Sequence, residues 1–314
     1  MSDEQNKTIA DNVIIYDIAD GIEPIPVKVI NNFDDTYPFS FEYGSKHRLT
    51  KEVKQLLHNP TPTDGCDCAT DCNPKTCRCQ AGSTVKFYSN VRRVSLRSDT
   101  QTVQSDEYQY IECGKHCGCH GKCGRQLSRD TIFKKMEIRY KPVIGFIVTA
   151  CQHIAPGMPI LNYVGSIVIN GVNEDFDPDF GTDYTFNLYE GDLLVHCDAA
   201  KYGNISRFIS HSCYPNACLM KVYPCNKPAE TDKLILPKLV IVALRSIVPG
   251  DEITIDYGID YFRERDLPCL CYNYNCRAPP DDFEEKCKTL DDINKERAKS
   301  RRQVQANMDD SKDL

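Results

Sequence analysis

Apolar residues in this chain fall in short, dense runs instead of helical stripes. IGFIVTA (144–150), MPILNYVGSIVI (158–169), DYTFNLYEG (183–191), LLVHCDA (193–199), ACLMKVY (217–223), KLVIVALRSI (238–247) and DEITIDYG (251–258) are rich in β-branched and aromatic residues. Pro-Gly, Asn-Gly and similar turn signals separate them, which predicts a mainly β domain of small sheets. Only LTKEVKQLL (49–57) and the tail 281–303 carry a helical pattern. That tail mixes both charge signs with few large apolar residues, so it reads as a solvated helix or as disorder. Residues 13–44 read as an extended lead-in packed on the β domain, and no internal repeat is visible.

Composition narrows the partner classes. With 314 residues and 41% hydrophobic content the chain has material for a real core. The formal net charge of -7 opposes a broad nucleic-acid footprint and favours a basic protein tail, so no sequence-specific nucleic-acid binding is expected. The most apolar stretch, LILPKLVIVALRSIV, is broken by Pro237, Lys238 and Arg245, so no membrane span is expected. The opening MSDEQNKTIADN lacks the basic and apolar regions of a secretory leader, so a reducing compartment is expected for the 18 cysteines.

Those cysteines are clustered. Cys66, Cys68, Cys72, Cys77 and Cys79 form C-x-C-x3-C-x4-C-x-C, and Cys113, Cys117, Cys119 and Cys123 form C-x3-C-x-C-x3-C. Both segments are poor in aliphatic residues and cannot build a core of their own. Short-spaced thiols in such a setting read as zinc ligands, against the alternatives of a disulfide knot or simple buried thiols. Three tetrahedral zincs need twelve ligand positions, and nine thiolates supply them when three sulfurs bridge. Cys269, Cys271 and Cys276 form C-x-C-x4-C, one ligand short of a closed site, and Cys213 in RFISHSCYPN is the candidate fourth. A buried core thiol is the alternative for Cys213. Cys151, Cys197, Cys218, Cys225 and Cys287 show no comparable spacing and read as packing or surface thiols.

This series of motifs, the two cysteine frames followed by RFISHSCYPN, DEITIDYG and C-x-C-x4-C, resembles SET-domain histone lysine methyltransferases of the Su(var)3-9 type over about residues 20–278. The resemblance implies an N-terminal extended segment (1–63), a pre-SET cluster of three zincs (64–126), a SET domain with a pseudoknot (134–258), a post-SET segment whose zinc Cys213 completes (265–281), and a charged tail (282–314). It implies S-adenosylmethionine as methyl donor and a histone tail as substrate, most of all lysine 9 of histone H3. Other chromatin proteins would be partners, in the nucleus, on the chromosome. Tyr257 matches the family's tyrosine near the transferring methyl, and Tyr184 a second tyrosine at the cofactor and lysine channel. Cofactor contacts would come from Ile144, Gly145 and Phe146, from Arg207, Phe208, Ser210 and His211, and from Tyr184. Taken singly, each tyrosine reads as a packed strand aromatic and His211 as a structural histidine.

The chain departs from the family at several places. Ile147 stands where a second glycine is usual, Ser210 for asparagine, Ser166 for glutamate, Ile255 for an aromatic and Ala278 for glycine. The chain has no tryptophan to close a post-SET lid, and Phe283 is the candidate substitute. Two functional classes remain: an active methyltransferase with a relaxed cofactor pocket, and a SET-fold module that docks a histone tail or partner without efficient catalysis.

Overall fold

The computed structural model describes residues 11–38, 40–57, 65–70, 72–73, 75–87, 93–96, 109–129, 134–169, 183–190, 192–225, 233–286 and 295. Most of the charged tail and Cys287 therefore lie outside the described residues. The described part is mainly β, as the turn-punctuated pattern predicts.

One four-stranded sheet orders Val13–Ile15, Val29–Ile30, Met136–Lys141 and Gly145–Ala150. The extended lead-in thus joins the domain by main-chain pairing: Val29–Ile30 runs parallel to Met136–Lys141. The strand Met136–Lys141 was not among the predicted ones. Its alternation is legible in retrospect, with Met136 and Ile138 buried and Glu137 and Arg139 facing outward, but its polar positions hide it among the turns.

A second sheet orders Pro159–Tyr163, Lys238–Ala243, Ala217–Tyr223 and Gln109–Ile111. All seven residues of Ala217–Tyr223 are buried. The reason is a division of faces: Leu219, Leu239 and Ile241 enter the main core, while Cys218, Met220, Val222, Val240 and Val242 pack against the cysteine-rich segments. A strand covered on both faces has no polar side to alternate with, which explains a run that is apolar except for Lys221, whose buried ammonium pairs with Glu190 at 3.5 Å.

The third sheet orders Thr185–Glu190, Leu193–Gly203, Gly165–Ile169 and Arg48–Leu49, with Glu42–Tyr43 beside Leu193–Gly203. The run 158–169 therefore divides between two sheets around Val164. The pairing shifts register between Gly165 and Ser166, and a Cβ on Gly165 would lie 2.4 Å from the Asp198 carbonyl oxygen. Only glycine permits that approach. The helix expected at 49–57 forms over Lys51–Leu56, with the Thr50 hydroxyl accepting from the Val53 amide.

DEITIDYG contributes only a two-residue strand, Thr254–Ile255. Side chains take several of its amides: Thr254 N–H donates to Asn216 Oδ1 at 2.9 Å and Gly258 N–H to Asp256 Oδ1 at 2.9 Å. Thr254–Ile255 pairs in parallel with Ser210–His211, which lays the two motif segments side by side. A short helix, Ile259–Arg263, follows.

Candidate active site and metal centres

The nine clustered thiols converge. They form overlapping sets of four whose sulfurs all lie within 4.8 Å of one another: Cys66, Cys113, Cys117 and Cys119; Cys66, Cys77, Cys79 and Cys113; Cys66, Cys68, Cys72 and Cys77; Cys72, Cys113, Cys119 and Cys123. Individual pairs stand 3.6 to 3.9 Å apart, as Cys72–Cys113 and Cys66–Cys113 do. Sulfurs on a tetrahedral zinc at Zn–S of about 2.3 Å are separated by roughly 3.8 Å. The described cysteines are all free thiols, so the disulfide alternative fails. Cys66 and Cys113 recur in three of the four sets, the behaviour of sulfurs shared between metals.

Arg125 holds the two halves of this cluster together. Its fully buried guanidinium donates to Gln80 Oε1 at 2.6 Å, to the carbonyl oxygens of Cys79 and Ile111, and to Ser83 Oγ at 3.2 Å. A buried cation beside so many thiols is suited to balance their charge once they bind metal as thiolates.

Cys213 does meet the C-terminal group. Its sulfur, with those of Cys269, Cys271 and Cys276, forms a set within 4.8 Å, and Cys213–Cys269 is 3.9 Å. Asn275 Nδ2 donates to the Cys213 carbonyl at 3.1 Å and Arg277 N–H to its sulfur at 3.4 Å, fastening the C-terminal loop to RFISHSCYPN.

The remaining predicted residues gather around one edge of the core. The Arg207 guanidinium lies 4.2 Å from the Tyr184 ring centre and 4.4 Å from that of Phe41, while Nε and Nη2 donate to the carbonyls of Ala199 and Ala200. Phe208 packs edge-on against Phe146 at 6.2 Å, joining the 144–146 segment to the 207–211 segment. Gly145 takes a φ of +93°, with open space where its Cβ would be. Ile144, just before it, is exposed.

Tyr257 points inward. Its hydroxyl donates to the Ile209 carbonyl, and burial pushes its phenol well above the ordinary range, with the neighbouring Tyr261 and Tyr184 phenols adding to the effect. Tyr163, also buried, donates to the Tyr184 carbonyl at 2.6 Å and so fixes the start of the strand Thr185–Glu190. The Tyr257 amide donates to His211 Nδ1 at 3.0 Å. Burial pushes His211 down to about 4 against the pull of Asp256, so the ring is neutral at pH 7. With Nδ1 accepting, the ring proton sits on Nε2, which stands 3.3 Å from Cys213 Sγ. His211 thereby couples the tyrosine to the C-terminal thiol set.

Two buried polar atoms here have no protein partner: Arg207 Nη1 and Ser210 Oγ. Buried polar groups are rarely left unsatisfied, so both fit a ligand with polar acceptor groups. A cleft of about 770 Å³ opens nearby, lined by Phe262, Leu267, Leu270, Tyr272 and Pro280, among others. Phe262 packs edge-on to His211 at 4.7 Å, so this space adjoins the motif.

Ile147 requires no positive φ. It is a regular member of the strand Gly145–Ala150, paired with Arg139 and buried, so a β-branched residue is at home there. Phe283 opens a short helix, Phe283–Lys286. Phe41, Tyr163, Tyr261 and Phe262 belong to the site but were not foreseen; nothing in their local spacing marks them, because topology alone brings them in. Cys225, expected to be an ordinary thiol, is buried against the nine-thiol cluster.

A fold of small sheets, with a nine-thiol centre before it and a four-thiol centre after it, defines a SET-domain architecture. The chain matches the SET domain family model over residues 145–258 and the Pre-SET motif model over 19–126, and it belongs to the SET-domain family. It is 26% identical over 85% of its length to human histone-lysine N-methyltransferase EHMT1, and 30% identical over 80% to Drosophila melanogaster histone-lysine N-methyltransferase Su(var)3-9. It spans only 20% and 41% of those relatives' lengths. Among solved structures, KRYPTONITE in complex with mCHG DNA and SAH superposes with a TM-score of 0.65 at 25% identity, covering 88% of this chain and 56% of that one.

Proposed function

We propose that this chain is a protein-lysine N-methyltransferase that uses S-adenosylmethionine on a histone tail, with lysine 9 of histone H3 as the lead substrate and nuclear chromatin as its setting. The observation that carries the reading is the meeting of Tyr184, Arg207, Ser210, His211 and Tyr257 at one edge of the core, with Arg207 Nη1 and Ser210 Oγ buried and unpartnered. KRYPTONITE has been solved with SAH and an H3(1–15) peptide, which supports both ligand classes.

S-adenosylmethionine supplies the electrophilic methyl group. Ile144, Gly145, Phe146, Phe208 and His211 would line its apolar and backbone-bonded surface, while Arg207 Nη1 and Ser210 Oγ would meet polar groups. Methyl transfer to an amine needs alignment and a neutral nucleophile, not a protein nucleophile. The Tyr257 hydroxyl spends its proton on Ile209, leaving its lone pairs to accept from the reacting groups. Its raised pKa keeps it neutral throughout. Tyr184, fixed through Tyr163, would form the opposite wall. The acidic balance of the chain attracts a basic tail.

Three zincs would occupy the nine-thiol cluster and one the Cys213 set, in pre-SET (64–126) and post-SET (265–281) segments flanking the SET domain (134–258). The residues 1–63 would serve as the packed lead-in and 282–314 as a charged tail. Calorimetric titration of the zinc-loaded protein with S-adenosylmethionine, followed by labelled methyl transfer to an H3 tail peptide, tests the reading. Micromolar binding with transfer that falls in Tyr257→Phe supports it. Absence of binding by folded protein leaves a docking module instead.

A further inference from the structure

Cys225 lies outside both cysteine motifs, and no spacing singles it out. Parallel pairing places it. The strand Ala217–Tyr223 runs beside Gln109–Ile111 with Tyr223 opposite Ile111, and the Glu112 amide donates to the Tyr223 carbonyl at 3.0 Å, carrying the pairing one residue further. Two residues past the paired ends come Cys225 on one strand and the cluster thiol Cys113 on the other. Cys225 is 8% exposed and packs in the same buried cluster as Cys117 and Cys113.

The approach depends on a glycine. A Cβ on Gly114 would stand 3.1 Å from Cys225 Sγ, tighter than ordinary contact, so the bare Cα leaves the sulfur its place. The Gly114 amide also donates to Cys117 Sγ, at 3.4 Å. Cys117 belongs to a single four-thiol set, with Cys66, Cys113 and Cys119, so it is a terminal sulfur and not a shared one. Such a thiolate keeps lone pairs facing the protein, and Gly114 brings two groups to that side: its own N–H, which donates to Cys117 Sγ, and the Cys225 sulfur packed against its Cα. Cys225 itself belongs to none of the four-thiol sets.

We propose that Cys225 is a positioning thiol of the zinc cluster, donating its S–H proton to the Cys117 thiolate and tying the SET-domain strand Ala217–Tyr223 to the metal centre. The inference rests on the reading that the nine thiols hold zinc. Hydrogen bonds to a metal-bound ligand orient it and tune its hold on the metal. The Cys225 side chain therefore gives the catalytic domain a direct link to the stability of the cluster, without adding a ligand.

The experiment uses the full chain as wild type, Cys225→Ser, which keeps a donor, and Cys225→Val, which removes it at similar volume. Zinc content is measured by elemental analysis, release is followed with a chromogenic chelator, and cadmium-substituted protein is examined by 113Cd NMR. The expected result is equal metal content in all three, release about 10-fold faster in Cys225→Val, one displaced cadmium resonance in that variant, and recovery of both in Cys225→Ser. Gly114→Ala, which displaces the Cys225 sulfur without touching it, should reproduce the valine signature and stands in should Cys225→Val fail to fold. Unchanged release and spectra in Cys225→Val, or in Gly114→Ala where it stands in, overturn the proposal. Loss of one metal equivalent in Cys225→Val overturns it as well, by making Cys225 a ligand. A wild-type protein without zinc instead overturns the underlying reading of the cluster.

Discussion

The Tyr257 amide donates to His211 Nδ1 at 3.0 Å, and the other ring nitrogen of His211 stands 3.3 Å from Cys213 Sγ. One imidazole thus spans from the catalytic-tyrosine candidate to the C-terminal thiol set. The parallel pairing of Ser210–His211 with Thr254–Ile255 holds the ring in register, and Phe262 packs against its face. Loss of a metal held by that thiol set would therefore be felt at Tyr257 through this ring.

This linkage makes His211→Ala a variant with two readouts. The Tyr257 amide loses its acceptor and the Cys213 sulfur its donor. Zinc release from the four-thiol set should accelerate about 10- to 100-fold, the usual effect of removing a ligand's supporting hydrogen bond. Methyl transfer should fall with it. Chelator-trapped zinc release and labelled transfer, measured on one preparation, check both.

Cys213→Ser should lower the zinc content by one equivalent, whereas Cys151→Ser, which belongs to none of the four-thiol sets, should leave it unchanged. Elemental analysis distinguishes the two. The remaining sulfurs, Cys269, Cys271 and Cys276, would be left one ligand short of a closed tetrahedral site.

How much of this was legible beforehand differs by element. ACLMKVY was readable to the residue, because a strand buried on both faces shows apolar residues at every position but one, Lys221. Counting left one position open beside Cys269, Cys271 and Cys276 and made Cys213 the candidate, and the structure brings its sulfur to that set. The strand Met136–Lys141 was missed because its inward positions are only Met136, Ile138 and Tyr140 between charges. The single run 158–169 concealed a change of sheet at Gly165, which a close main-chain approach dictates and no periodicity reveals. Phe41 and Cys225 were beyond reach for a stronger reason. Their neighbours, Arg207 for Phe41 and the nine-thiol cluster for Cys225, are distant in sequence, and only the pairing of strands brings them together.

Arg125→Ala should unfold the nine-thiol segment before the rest. The substitution leaves Gln80 Oε1 and the carbonyls of Cys79 and Ile111 without their buried donor. Leaving a buried acceptor without its donor costs about 1–3 kcal/mol. Chelator sensitivity should rise and the denaturant midpoint fall, with zinc lost early. An unchanged midpoint would show that the guanidinium is dispensable.

Glu23 carries a pH signature. It is buried, accepts from the Tyr43 hydroxyl at 3.3 Å, and burial pushes its carboxyl up to about 7. The folded state therefore binds this proton more tightly than the unfolded chain. The associated stability is present in full below the unfolded value near 4.5 and is lost as pH rises through about 7. Glu23→Gln, which keeps an acceptor but cannot ionise, should match wild type near pH 4.5 and exceed it above pH 7, by about 1–2 kcal/mol after allowance for partial solvation. Thermal unfolding across pH 5 to 8 checks the crossover. Parallel curves would place the Glu23 ionisation elsewhere.

Ser210 separates a binding role from a structural one. Its Oγ is buried without a partner, so in the free protein the hydroxyl contributes no hydrogen bond and its removal should not destabilise the fold. Ser210→Ala should unfold at the wild-type midpoint or slightly above it. With S-adenosylmethionine bound, the same hydroxyl gains a polar partner, and its loss should weaken affinity about 5- to 10-fold, the worth of roughly 1 kcal/mol. Ser210→Asn, which extends a carboxamide from the same position, should tighten binding where the cavity accommodates it. Calorimetry on the three proteins decides the matter: equal affinity in wild type and Ser210→Ala would remove this residue from the cofactor site, while a lowered midpoint would assign the hydroxyl a partner within the fold.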